Sequence, residues 1–195
     1  RETMDVAIES SLTGHLVFST IHTNSAVETL TRILNMGIPG YLMSSTINMI
    51  VAQRLVRKVC TNCKKEAPVD SEIAARAGRA LKYLNAEEAK NYDAALLQNP
   101  KFYIGAGCDT CGGIGYFGRV GIYEIMIMNN KLRRLILEGA SMMEVEKVAI
   151  ESGMTTLEQA GILKAIKGET TLEEVYSVAR EEEIEESKPA VTTKP

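Results

Sequence analysis

Four cysteines carry the clearest chemistry in this sequence. Cys60 and Cys63 form one C-x-x-C pair, and Cys108 and Cys111 form a second. Two residues between thiols let a tight turn aim both sulfurs at one ion. Two such turns facing each other make a tetrahedral cage of four sulfurs, which suits Zn²⁺. Glycines at 105, 107, 112, 113, 115 and 118 crowd the second pair and permit tight, positive-φ backbone around sulfur. Arg57, Lys58, Lys64 and Lys65 flank the first pair and would offset the charge of four thiolates. The alternatives are two disulfides, a redox pair or free thiols. A disulfide framework belongs to small secreted chains, and no secretory signal is read here. A shell of four cysteines leaves no open position for water, so the expected metal is structural, not catalytic.

The second candidate centre is the run from Thr13 to Asn24, which holds the chain's two histidines, His15 and His22. Along a continuous strand their odd separation puts them on opposite faces, which argues against a shared metal. Taken singly, each reads as a hydrogen-bonded structural histidine. The competing reading comes from the polar cluster Thr20, His22, Thr23 and Asn24, at the carboxyl end of an expected parallel strand. Open α/β sheets bind ligands at that end, so a nucleotide or phosphate role is the alternative.

The elements that must position these groups follow from pattern. Residues 3 to 12 read as a helix, and His15 to Ile21 as a strand buried on both faces. Asn24 or Ser25 caps a second helix through Val27, Leu30, Ile33 and Leu34, which Gly37 ends. A third helix is expected from Tyr41 to Val51 and a strand from Leu55 to Val59. Between the cysteine pairs, helices start at Asp70 and at Asn85, the latter with Glu88 in a capping-box position, and a short strand is expected over Phe102 to Ile104. This insert has few large apolar residues, so the metal is expected to supply much of its cohesion. Arg119 to Met128 reads as a strand. Four helices follow, opened by Asn129 or Asn130, by Ser141 with Glu144, by Thr155 or Thr156, and by Thr170 with Glu173.

Composition narrows the function classes. The 195 residues are 45% hydrophobic with net charge −3. The stretch from Glu181 to Pro195 alone carries five glutamates and two lysines, so the remainder balances. Balanced charge and the absence of tryptophan disfavour a zinc-ribbon nucleic-acid binder. No apolar run approaches a membrane span. The sequence opens on Arg1 and goes straight into a helical pattern, which reads as a fragment of a longer chain. The expected divisions are 1–59, a layered α/β part; 60–118, a tetracysteine insert; 119–180, a strand and helical subdomain; and 181–195, a disordered acidic tail.

Glu2-Thr3 and the stretch from Ser11 to Ala26 closely resemble the histidine box of the secretion ATPase superfamily, the hexameric motors of type II secretion and type IV pilus assembly. The resemblance continues through Ala52 to Leu55, both cysteine pairs, Gly118 to Glu124, Gly153 to Leu157 and Gly168 to Thr171. It implies the C-terminal part of a RecA-like P-loop ATPase core with a tetracysteine zinc insert and a C-terminal helical subdomain. It also implies ATP and Mg²⁺ as cofactors of the intact protein, a homo-hexamer, and a cytoplasmic place at the inner face of the bacterial inner membrane. The partners it implies are an inner-membrane platform protein and pilin or pseudopilin subunits. His22, with His15 and Thr20, would sense or position the γ-phosphate, and Arg54 would contact nucleotide. Retraction motors of the superfamily lack the cysteines, so the resemblance is to assembly and secretion motors. No G-x-x-x-x-G-K-[ST] phosphate loop is present in these residues, and the Walker B glutamate of the family would precede Glu2. The polypeptide by itself is therefore expected to be inactive. The alternative from another class is a non-enzymatic, zinc-stabilised module that docks a membrane platform protein.

Overall fold

The computed structural model describes residues 2–178. The acidic tail expected from 181 lies outside the described residues. In chain order the elements are α1 (Glu2–Leu12), α2 (Ala26–Asn35), α3 (Gly40–Thr46), β1 (Met49–Val59), β2 (Lys64–Glu66), α4 (Ser71–Leu81), α5 (Ala86–Ala89), α6 (Ala94–Gln98), β3 (Tyr103–Gly105), β4 (Tyr116–Ile127), α7 (Asn130–Glu138), α8 (Met142–Glu151) and α9 (Leu157–Ile166). Residues 172–178 are also helical. The chain forms two compact units. One gathers 2–53, Asn85–Asn91 and Tyr123–Thr156; the other gathers Arg54–Leu84, Tyr92–Ile122 and 157–178.

In the first unit, α3 packs against α7 and α1, and α8 packs against α2 and α7. The caps explain where these helices start. Ser25 Oγ accepts from the Glu28 amide, Asn129 Oδ1 from Leu132, and Ser141 Oγ from Glu144. Each satisfies an amide that the first helical turn leaves without a partner. The inner stripe of α2 buries Ala26, Val27, Leu30 and Ile33. Arg133 of α7 donates through Nη1 to the Ser44 carbonyl and through Nη2 to Asn48 Oδ1 at 3.3 Å, fixing the end of α3.

In the second unit, Ala77 of α4, Phe102, Ile162, Ala165 and Ile166 of α9, and Leu172 and Tyr176 form one apolar cluster. Arg76 donates to Glu158 at 2.9 Å and lies over the Tyr176 ring at 4.4 Å. Ala77 and Phe102 are buried, so α4 and the residue before β3 also have apolar anchorage beside any that a metal supplies.

β1 and β4 pair in a two-stranded sheet. Cys60 N donates to Gly115 O at one end and Met128 N to Asn48 O at the other, so the strands run antiparallel. β2 and β3 also pair antiparallel, Lys64 opposite Gly105 and Glu66 opposite Tyr103.

Four expectations change. Residues 15 to 21 are not a buried strand: they have no regular structure, and Leu16 and Phe18 are 76% and 83% exposed. A strand needs a neighbour offering free amides and carbonyls, and no strand pairs with this run among the described residues. The third helix stops at Thr46, and β1 starts at Met49 instead of Leu55. The burial of Ile50, Ala52 and Val56 against exposed Met49, Val51 and Leu55 shows period-two alternation over residues 49 to 56, which outweighs the helical reading of residues 47 to 51. Asn85 caps α5 through the Glu87 amide, while Glu88 instead accepts from Asn91. The last helix is capped by Thr171, whose Oγ1 accepts from Glu174 N; Thr170 Oγ1 donates to the Arg57 carbonyl.

Candidate metal centre

The first cysteine pair sits where β1 turns into β2. The Cys63 amide donates to the Cys60 carbonyl, closing the knuckle, and the Cys63 carbonyl accepts from Ala106 N at 3.0 Å. The second pair lies on a single 3₁₀ turn, Asp109–Cys111, between β3 and β4. Gly113 N closes it onto the Cys108 carbonyl at 2.9 Å. Asn62 Nδ2 donates to Thr110 Oγ1 at 2.9 Å, tip to tip between the knuckles.

The knuckles meet through their glycines. A Cβ on Gly105 would stand 1.9 Å from the Gly115 carbonyl oxygen, and a Cβ on Gly115 would stand 2.4 Å from the Gly105 oxygen. Gly115 also has φ +77°. The glycine cluster visible in the sequence therefore serves a second purpose, the backbone-to-backbone approach of two hairpins. That purpose is not legible without knowing which strands pair. Gly115 is also the hinge of the cage. Its carbonyl accepts from Cys60 N at 2.9 Å, and its amide donates to Cys111 Sγ at 3.2 Å.

The four sulfurs lie within 4.8 Å of one another. Cys60 to Cys108 and Cys63 to Cys111 are 3.8 Å apart, and Cys108 to Cys111 is 3.7 Å. A disulfide would bring two sulfurs to about 2.05 Å, so none of the cysteines is paired. An ion held by four thiolates at about 2.3 Å has tetrahedron edges of about 3.8 Å, which matches these separations. Cys60 and Cys111 are buried, and Cys63 and Cys108 are half-buried. Among the described residues this is the one group of three or more histidine, cysteine or acidic side chains arranged to hold a metal.

The thiols are not equivalent. Burial pushes the Cys63 thiol up to about 11. The Cys111 backbone amide, aimed at the Cys108 sulfur, pulls that thiol down. Burial opposes ionisation at Cys111 as well, yet amides from Cys108 and Gly115 outweigh it and bring that thiol to about 6. Amide hydrogens aimed at sulfur also hold thiolates bound to a cation. The flanking cations have local partners. Arg57 bonds Glu174 through Nε at 2.9 Å and Nη2 at 2.5 Å and lies over the Tyr116 ring; Lys64 lies over the Tyr103 ring.

The histidine run is placed differently. His15 Nδ1 is 3.2 Å from Thr13 Oγ1. Thr20 and His22 are exposed, and Leu16 to His22 share no hydrogen bond with any other described residue. Order resumes at Thr23, whose Oγ1 is 2.7 Å from Thr29 Oγ1. Arg54 lies half-buried on β1. The structure thus gathers the cysteines into one centre, whereas it joins His15, Thr20 and His22 by no hydrogen bond to one another. Glu124, buried on β4, accepts from Ala26 N at 2.7 Å. In the sequence it stands only as the end of the Gly118 to Glu124 motif; the one available signal is an acidic residue alternating with Ile122 and Met126 on an inward strand face.

Three comparisons bear on this arrangement. A family model described as type II/IV secretion system protein matches residues 1–177. A relative named type IV pilus assembly ATPase PilB, from Pseudomonas aeruginosa, is 42% identical over 180 residues, covering 92% of this chain and 29% of its own length. A relative named type II secretion system protein E, from Xanthomonas campestris, is 41% identical over 183 residues, covering 92% of this chain and 30% of its own. The chain therefore spans under a third of the length of these relatives. A crystal structure of the pilus retraction motor PilT with bound ADP resembles this fold with TM-score 0.55 at 23% identity, over 91% of this chain and 36% of that one.

Proposed function

The chain belongs to the type II/IV secretion system protein family, and from that premise we propose that it is part of an ATPase whose ATP hydrolysis drives pilus assembly or protein secretion. The observation that carries this is the family match across residues 1–177, reinforced by about 40% identity to both a pilus-assembly ATPase and a type II secretion protein E. These residues hold no phosphate-loop signature, so the reading needs further polypeptide to supply the lysine and the backbone amides that cradle phosphate. On the same reading the working form is a homo-hexamer that uses ATP and Mg²⁺. It sits at the cytoplasmic face of the inner membrane beside a platform protein and pilin-like subunits. No described helix is long and apolar enough to cross a membrane.

Cys60, Cys63, Cys108 and Cys111 hold a structural Zn²⁺; the matched edge lengths and the amide bonds to Cys111 support this. Its role is to lock the two knuckles, and with four protein ligands it activates no water. His22, with Thr20 and His15 beside it, serves the γ-phosphate side of the nucleotide site, and Arg54 contacts nucleotide. The exposure of His15, Thr20 and His22 in this chain leaves them open to a ligand.

The test is ATP turnover by the protein expressed from its complete reading frame. Turnover that falls at least tenfold in His22→Ala, with ATP affinity changed by less than about threefold, supports the reading. Unchanged turnover refutes the role of His22, and absence of any ATPase activity in the unsubstituted protein refutes the reading as a whole.

A further inference from the structure

We propose that Glu124 is a positioning residue for His22: its carboxylate tethers the turn that follows the histidine and so fixes how His22 is presented. The proposal rests on the nucleotide-site reading of His22 given above.

Glu124 occupies an unfavourable place for a charge. It is 5% exposed, on the inward face of β4 that it shares with Ile122 and Met126, each 1% exposed. A carboxylate in such a row costs free energy unless a specific bond uses it. Its Oε1 accepts from the Ala26 amide at 2.7 Å, and Ala26 is fully buried. Ala26 begins α2, so the negative group also meets the positive end of that helix.

The helix does not need Glu124 as a cap. Ser25 Oγ already accepts from Glu28 N, and Glu28 Oε2 accepts from Asn24 N at 2.6 Å. Thr29 Oγ1 donates to the Ser25 carbonyl at 3.0 Å and lies 2.7 Å from Thr23 Oγ1. All of these bonds lie within α2 and its own cap. They shape the turn from Thr23 to Ala26 from within α2, which packs against α8 and buries Ala26, Val27, Leu30 and Ile33. The bond from Glu124, 98 residues away in sequence, anchors the turn to β4.

His22 depends on that anchor because of what precedes it. Leu16 to His22 share no hydrogen bond with other described residues. The first fixed point next to the histidine is therefore on its C-terminal side, at Thr23. Loosening the turn changes where His22 points without altering any group that touches ligand.

The experiment uses the protein from its complete reading frame. It compares His22→Ala, Glu124→Ala, Glu124→Gln and the double variants for ATP turnover, with amide exchange of the peptide spanning 22–26 as a readout independent of catalysis. Expected are a roughly tenfold fall in kcat for Glu124→Ala with KM within about threefold, a smaller fall for Glu124→Gln, which keeps an oxygen acceptor, and faster exchange at 23–26. A residue that acts only through His22 adds nothing once His22 is gone, so each double variant should match His22→Ala within about threefold. If Glu124→Ala does not fold, Glu124→Gln carries the same comparison. Effects that multiply in the double variant, unchanged exchange at 23–26, or unchanged kcat overturn the proposal. Should His22→Ala alone leave turnover intact, the reading of His22 falls first and this proposal with it; multiplied effects on an active His22 remove only the positioning role.

Discussion

Replacing Gly105 with alanine puts a methyl carbon 1.9 Å from the Gly115 carbonyl oxygen, against backbone that has no rotamer to retreat into. The two hairpins must separate by more than an ångström, and Gly115 is the residue that moves. Two bonds depend on it. The Cys60 amide, on a residue 2% exposed, loses its acceptor, and a buried unsatisfied amide costs about 1–3 kcal/mol. Cys111 Sγ loses the Gly115 amide, a bond to a charged acceptor worth about 1.5–3 kcal/mol when metal is bound. Together these come to roughly 2.5–6 kcal/mol, and at about 1.4 kcal/mol per decade metal affinity should fall about sixtyfold or more. The assay is competition for zinc against a chromophoric chelator at fixed pH. Gly112→Ala is the control. Gly112 also has positive φ, +61°, but nothing lies within 4 Å of its added carbon, so only backbone strain of about 1–2 kcal/mol applies and the loss should be tenfold or so. An affinity of Gly105→Ala within threefold of the unsubstituted protein, or equal to that of Gly112→Ala, would refute the idea that the knuckles are held by direct backbone approach.

Two further expectations concern the second unit. Phe102→Ala empties a buried site among Ala77, Ile162 and Ile166 and should cost about 3–5 kcal/mol in urea unfolding, with metal present or absent; a cost that vanishes on chelation would show that the metal, not the apolar cluster, holds the insert. Burial opposes ionisation of Glu174, but its bonds from the Arg57 side chain and amide outweigh it and hold the carboxyl below its ordinary 4.5. A carboxyl depressed in the folded state adds stability above its unfolded pKa and loses it as pH falls through the folded value, so stability should decline below about pH 4.5 and Glu174→Gln should flatten that decline. Equal acid sensitivity in the variant, followed by urea unfolding between about pH 3 and 6, would refute the assignment.

The metal centre was legible because its chemistry is local: two C-x-x-C turns declare their ligands by spacing alone. Helix starts were legible for the same reason. Ser25, Asp70, Asn129 and Ser141 each cap the helix that follows, and Gly37 and Gly139 end theirs in positive φ. Strand content was less so. The apolar run from His15 to Ile21 states how it would be buried but not by what, and it pairs with no strand among the described residues. β2 is three exposed residues, Lys64 to Glu66, with no apolar pattern to announce it, and it exists through its register with β3. Long-range tethers such as Glu124 to Ala26 and Asn62 to Thr110 leave almost no trace in sequence, because each is one polar pair brought together by the topology.

The most direct test of the central claim is the metal content and sulfur coordination of the purified, fully reduced protein, read together by elemental analysis and X-ray absorption at the metal edge. The account predicts one zinc per chain with four sulfur neighbours at about 2.3 Å and none of oxygen or nitrogen. A folded protein that binds no metal with its thiols reduced, or one whose tetrahedral sulfur site holds iron in place of zinc, would contradict it.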